Sequence, residues 1–254
     1  LAEYRNAVTI ENLPYRPDFV QNDMGGLRVH RSGQLEVSPF LAELQTLLAQ
    51  TGRFRRIEGF LPYENIDAEN AVALLPNGER EAYRAIVFCE GILANRNPFW
   101  LPHELWALKG QLLTLSFDND PHLDRIVIQG VFITPPNPTT GGYLVGSTYE
   151  REFETEAPTF SGLTELLDKL DALTSRVFEK TVLEHYAGIR PTTPDRRPLL
   201  GRHPQAPKLF FFNGLGAKGV LLAPYFSEMM AAYLLGERTE LPKDVEWLRL
   251  PRNA

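Results

Sequence analysis

Apolar residues along this chain fall into helical and strand periods, and the two interleave. Ser38-Pro39 offers a hydroxyl N-cap followed by proline at the first helical position. Phe40, Leu41, Leu44, Leu47 and Leu48 then form an apolar stripe that Gly52 closes. Short strands are expected around 55–60, 71–75 and 80–84, with Pro76-Asn77-Gly78 as a hairpin turn. The run Ala85-Ile86-Val87-Phe88-Cys89 is continuously apolar, which suits a strand covered on both faces. Further strands are predicted at 110–117, 125–134, 142–149 and 182–187. Between them lies an amphipathic helix over 162–179 carrying Leu163, Leu166, Leu167, Leu170, Leu173 and Val177. Near the C-terminus, Leu209-Phe210-Phe211-Phe212 reads as a strand, and an apolar stretch with helical spacing follows Gly219. Residues 1–37 read as irregular, apart from extended pieces such as Leu27 to His30. The fold class is therefore mixed α/β with an α+β tendency and a large antiparallel component in the middle.

Composition narrows the function classes. The 254 residues can bury a substantial core as one large domain or two small ones, and 43% hydrophobic with 23% charged residues describes an ordinary globular protein. A net charge of −6 argues against a nucleic-acid-binding surface. No apolar run approaches the ~18 residues of a membrane span, and no signal-peptide core opens the chain. The single cysteine, Cys89, excludes an intramolecular disulfide and fits a reducing cytoplasm, the expected location. Leu1 in place of a methionine suggests a fragment or a processed chain. The five histidines (His30, His103, His122, His185, His203) lack metal-ligand spacing, so no metal site is expected. Ser161-Gly162 belongs to no nucleophile elbow and reads as helix capping. Trp100 and Trp106 flank a proline-rich loop as packing residues or a lid.

One motif stands out by its position. Gly214, Gly216 and Gly219 spell G-x-G-x-x-G between a strand and a helix, the context of a dinucleotide fingerprint. Yet only 35 residues follow Gly219, too few for the second parallel strand and its ribose-binding acid; Glu237 and Glu240 lie near the right distance but beyond Gly236. A helix starting near Ala217 directs unpaired N–H groups and a positive dipole end at whatever lies before it, and Lys218 adds a full charge. Two readings remain open: a site for developing negative charge, or a glycine corner packed tightly for structural reasons. Upstream, Gly188 to Gly201 holds three prolines and three arginines in a rigid, turn-rich run. Arg190 can offer a bidentate fork to a carboxylate there, or it can pair locally with Asp195.

Together these segments carry a resemblance. Tyr186-Ala187-Gly188-Ile189-Arg190-Pro191, Pro198-Leu199-Leu200-Gly201 and Leu209 through Pro224 resemble the C-terminal signature of the D-amino-acid oxidase superfamily of FAD-dependent oxidoreductases, glycine and sarcosine oxidases among them. Gly25-Gly26-Leu27 through Gly33, the 39–51 helix, the strand from Ala85 to Gly91, and Lys109-Gly110-Gln111 are similar to upstream family segments, in the same order, so the likeness runs from about residue 25 to 236.

The resemblance implies FAD as cofactor, with Gly91 and the run Gly214, Leu215, Gly216, Ala217, Lys218 and Gly219 against the flavin. It implies Arg190 as the clamp on the substrate carboxylate, Lys218 as a second group facing it, and Tyr143 and Tyr149 on a substrate-facing strand; by their residue type alone these tyrosines serve equally as core aromatics. The implied reaction oxidises the C–N bond of an amino acid or N-substituted amino acid by hydride transfer to flavin, giving an imine that water hydrolyses. No side-chain base is required, and the partner is a small amino-acid-like molecule.

The chain also departs from the family. Leu215 stands where many members have histidine, no cysteine in 188–201 offers a flavin thioether, and the N-terminal FAD-binding βαβ unit with its own G-x-G-x-x-G is missing. The expected organisation is a substrate domain (1–24 and 98–194), a partial FAD-binding domain (25–97 and 195–240) and a tail (241–254), which alone binds FAD poorly and is inactive. The competing readings are a non-catalytic module of this fold without its own cofactor, and the flavin domain of a tRNA-modifying enzyme.

Overall fold

The computed structural model describes residues 7–13, 15–22, 24–100 and 104–249. His103 and the last five residues of the expected tail lie outside them. In chain order the strands are β1 (Val8–Glu11), β2 (Gly26–Val29), β3 (Ile66–Asp67), β4 (Val72–Leu74), β5 (Arg80–Ala82), β6 (Ile86–Phe88), β7 (Trp106–Phe117), β8 (Val127–Gln129), β9 (Val131–Ile133), β10 (Tyr143–Gly146), β11 (Lys180–Thr192), β12 (Leu199–Arg202) and β13 (Leu209–Asn213). The α-helices are α1 (Val37–Gln50), α2 (Phe160–Leu173) and α3 (Gly219–Leu235). None of the helices among the described residues is long and apolar enough to cross a membrane.

The chain divides into two compact units. The first comprises residues 1–34 and 109–189. Its sheet runs β11-β7-β10-β9-β8, with β7–β10, β10–β9 and β9–β8 antiparallel. Alternation along the strands sends Leu113, Leu115, Ile133, Tyr143 and Val145 to one face, where they meet Leu166, Leu170 and Leu173 of α2. Burying each of these leucines contributes about 1.5–3 kcal/mol.

The start of α2 is fixed from the sheet. Thr159, not Ser161, is the N-cap: its Oγ1 accepts the Gly162 N–H at 3.2 Å. Gln111 on β7 accepts the Thr159 N–H through Oε1 (2.8 Å) and donates from Nε2 to Thr159 Oγ1 (2.9 Å) and Glu150 Oε1 (2.7 Å).

The second unit comprises residues 35–108 and 190–254. Its central sheet is β12-β13-β6, with β13 antiparallel to β12 and parallel to β6. One face carries Phe88, Trp100, Leu199, Leu209, Phe211 and Trp247; the other carries Leu200 and Phe210 against Met229 and Met230 of α3. Burial on both faces explains why Leu209 to Phe212 and Ile86 to Phe88 are unbroken apolar runs. β3, β4 and β5 form a small antiparallel sheet, with Gly78 in the hairpin turn where Pro76-Asn77-Gly78 predicted it. By contrast, α1 buries none of its residues: Phe40, Leu41 and Leu47 are each about half exposed (47, 48 and 51%).

Several elements differ from the sequence expectation. No strand forms at 55–60. The single strand expected at 125–134 is the hairpin β8–β9, folded back at Gly130 (φ +71°) so that Gln129 pairs with Val131. α2 stops at Leu173 because residues 19–21 capture the following backbone: Gln21 N–H donates to Leu173 O and Ser175 N–H to Phe19 O, both at 2.8 Å. β11 runs well beyond 182–187 at both ends alongside β7, from an Asp118 N–H to Glu179 O bond to Thr192 Oγ1, which donates to Trp106 O.

Candidate active site

β6 and β13 are adjacent and parallel, so their C-terminal ends open on the same side of the second unit. That is the side where open α/β sheets bind ligands. Glu90 and Gly91 follow β6; Asn213 ends β13 and Gly214 to Lys218 follow it. Asn213 ties the two ends together, donating from Nδ2 to the Gly91 carbonyl (2.8 Å) while its Oδ1 accepts the Gly214 N–H (2.9 Å). Glu90 is held by Tyr63 Oη and by Nδ2 of the fully buried Asn97, each at 2.8 Å. Burial, reinforced by that carboxylate, pushes the Tyr63 phenol up to about 12.

The glycine turn packs against the segment that follows Arg190. Gly214 and Gly216 both have left-handed backbone, φ +72° and +55°. A Cβ on Gly214 would lie 2.9 Å from Thr193 Cγ2, and one on Gly216 would lie 3.3 Å from Thr192 Cγ2. Close packing against the 191–199 segment therefore accounts for these two glycines on that side. Gly91 differs: its φ is +59°, yet a Cβ there would meet nothing within 4 Å. The end of β6 thus faces open space, as a flat group lying against backbone requires.

Arg190 occupies the end of β11, two residues before Thr192, and is half-buried. Asp195, the local acid considered for it, is engaged by Arg249 through Nε to Oδ2 (2.8 Å) and Nη2 to Oδ1 (2.9 Å). Gly216 to Lys218 form one turn of 3-10 helix that runs into α3, and Lys218 is exposed there, beside half-buried Leu215 and exposed Ala217. The second unit thus brings together Arg190, Gly91 and the run from Gly214 to Gly219. Backbone N–H groups at the helix start and two cationic side chains suit an anionic or electron-accepting ligand edge, so these residues fit the flavin-ring half of FAD.

Tyr143 and Tyr149 belong to the first unit. Tyr143 is 2% exposed, packs in the sheet–α2 core and donates from Oη to Asp120; burial and that carboxylate both raise its pKa. Tyr149 lies just beyond β10 and is exposed. Sequence reasoning passed over Asn213, although an asparagine at a strand end immediately before Gly-x-Gly is a signal for such a tie.

The glycine oxidase of Bacillus licheniformis is 27% identical over 193 residues, covering 74% of this chain and 50% of that protein. The tRNA 5-methylaminomethyl-2-thiouridine biosynthesis bifunctional protein MnmC of Thiobacillus denitrificans is 26% identical over 174 residues, covering 65% of this chain and 27% of that protein. In fold, the chain is similar to the crystal structure of glycine oxidase from Geobacillus kaustophilus, with a TM-score of 0.74 at 22% identity, covering 93% of this chain and 66% of that one. The chain spans about half the length, or less, of the curated relatives it matches. Residues 7–233 match the FAD dependent oxidoreductase (DAO) family, and the chain belongs to that family.

Proposed function

We propose that this chain is the substrate-handling and flavin-ring-facing part of an oxidoreductase that oxidises the C–N bond of an amino acid or N-substituted amino acid. The observation that carries the reading is the convergence of the Arg190 strand end, the glycine turn and the open Gly91 end in one unit. In this reading the Arg190 guanidinium binds the substrate carboxylate in a fork, Lys218 adds a second charge, and the substrate C–H is held in a fixed direction. Gly91 and the backbone of 214–219 lie along the flavin, where N–H groups favour negative charge. FAD, when bound, supplies the hydride acceptor.

The unit of 109–189 serves as substrate domain and the other unit as a partial flavin domain. A further strand–helix–strand element completes that domain, binding the ADP half of FAD. The uncovered apolar stripe of α1 and the outer edge of β6, an edge strand of its sheet, support this.

Similarity to the tRNA-biosynthesis protein favours one second reading, the flavin domain of a tRNA-modifying enzyme. The net charge of −6 weighs against it.

The test is Arg190→Ala in the full-length, FAD-loaded protein. KM for a small amino acid should rise about 10- to 100-fold, the worth of about 1.5–3 kcal/mol for charged hydrogen bonds. An unchanged KM removes the clamp.

A further inference from the structure

Residues 244–249 lie as a strap along the outer side of β12, within the second unit. Leu200 N–H donates to Val245 O at 2.8 Å, and Trp247 Nε1 donates to Arg202 O at 3.1 Å. The Trp247 ring fills the space beside Gly201, where a Cβ would come within 2.1 Å of Cδ1. Arg197 Nη1 reaches Asp244 at 2.9 Å. Arg249, whose side chain is only 13% exposed, forks onto Asp195 and donates from Nη2 to the Arg197 carbonyl at 2.9 Å.

Those two contacts bracket Arg196, a non-glycine residue with φ +59°. Left-handed backbone at such a residue costs about 1–3 kcal/mol and persists only where surroundings impose it. The turn it makes is closed by Thr193, whose Oγ1 donates to Arg197 O at 2.8 Å and accepts Arg197 N–H at 3.0 Å. The methyl of the same Thr193 abuts Gly214, and that of Thr192 abuts Gly216. A continuous chain of contacts therefore runs from Arg249 through Asp195 and Thr193 to the glycine turn and the end of β11 that carries Arg190.

We propose that Arg249 is a positioning residue for the carboxylate site: it holds the 191–198 segment in its strained turn, against the glycines, and so fixes the direction of the Arg190 guanidinium. This rests on the reading of Arg190 as the clamp. In this role Arg249 acts through Asp195 and the Arg197 carbonyl rather than by contact with substrate or cofactor. A lysine keeps the charge but cannot reproduce the fork, so Arg249→Lys tests geometry rather than charge, and Asp195→Asn tests the same link from the other side.

Two measurements decide the matter. Amide hydrogen exchange on the full chain should show Arg196, Arg197 and Gly214 exchanging at least tenfold faster in Arg249→Lys and in Asp195→Asn, with Leu163 in α2 unchanged. In the FAD-loaded full-length protein, acetate binding followed by flavin absorbance should weaken about tenfold in Arg249→Lys. The same substitution should add nothing in an Arg190→Ala background, because residues acting as one unit are not additive. Faster exchange confined to 244–249, or an equal loss of acetate affinity with and without Arg190, overturns the positioning role. An Arg190→Ala protein that binds acetate as tightly as its parent removes the clamp itself, and the role of Arg249 with it. If Arg190→Ala weakens acetate and Arg249→Lys is neutral in both measurements, the positioning role alone fails.

Discussion

Asn213 holds the Gly91 carbonyl at 2.8 Å, so one side chain, 4% exposed, joins the ends of two parallel strands that lie over a hundred residues apart in sequence. Its amide is used at both ends, as donor to Gly91 and as acceptor from Gly214. Asn213→Asp keeps the acceptor but turns the donor into a carboxylate facing a carbonyl. The expected cost is about 1–3 kcal/mol for an unsatisfied buried group, read by urea denaturation. Asn213→Ala should cost less than Asp, because it introduces no repulsion. If Asp is as stable as the parent, the tie contributes nothing.

A second close approach governs the sheet–helix core. A Cβ on Gly162 would fall 2.2 Å from Gln111 Nε2. The Gln111 side chain cannot swing aside cheaply, because it is fully buried and its amide bonds to Glu150 and Thr159. Gly162→Ala should therefore destabilise by about 1–3 kcal/mol, the usual cost of overpacking, despite alanine's higher helix propensity. Gly188→Ala is the control, since a Cβ there meets nothing within 4 Å. Equal melting temperatures for the two variants would refute the argument.

What could be read from the sequence follows a physical division. Period and punctuation located α2, the β4–β5 hairpin and the doubly covered strand β13, because each is determined by residues close in sequence. The β8–β9 hairpin was hidden because one glycine in an apolar run reads equally as strand interior or as turn; the structure uses Gly130 for the turn. The early stop of α2 was hidden because its cause, the backbone at 19–21, lies some 150 residues upstream. At the candidate site the glycines and Arg190 were legible as a pattern. The ties that arrange them, Asn213 to Gly91 and Arg249 to Asp195, join residues that no local period connects.

The Arg249–Asp195 pair also predicts a pH signature. The guanidinium, with help from the Arg197 N–H, holds the Asp195 carboxyl down at about 2. A folded pKa below the unfolded value gives stability that is present above about pH 4 and is lost as pH falls towards 2. Asp195 is 39% exposed, so screening limits the effect to about 1 kcal/mol. Asp195→Asn should be less stable than the parent at pH 6, and the gap should close below pH 3. A gap that stays constant down to pH 2 would place the loss elsewhere than in the charge.

The apolar stripe of α1 gives an opposite expectation. Leu47 and Leu48 are 51 and 39% exposed and belong to none of the buried core clusters among the described residues. Leu47→Glu with Leu48→Glu should leave the unfolding free energy of this chain within about 0.5 kcal/mol per substitution. The same pair should reduce FAD retention in the full-length protein, if a further element covers α1 there. A marked loss of stability in the isolated chain would mean that α1 packs against it after all.

Lys109 and His185 together offer a spectroscopic test of the first unit's interior. Lys109 is fully buried; among the described residues its Nζ has no hydrogen-bond partner, and it forms an ion pair with Glu150 Oε2 at 3.7 Å. His185 Nε2 is likewise buried without a partner, and its pKa is lowered first by burial and then by the Lys109 charge. A histidine whose folded pKa lies below its unfolded value of about 6.5 adds stability that is present above that pH and is lost as pH falls below it. Replacing Lys109 with Met removes the charge and keeps the bulk. By NMR titration the His185 pKa should then rise while staying below its ordinary value, since burial remains. His203 is the internal reference: burial lowers its pKa without any contribution from Lys109, so it should not move. If His185 titrates identically in both proteins, the two groups do not share a field.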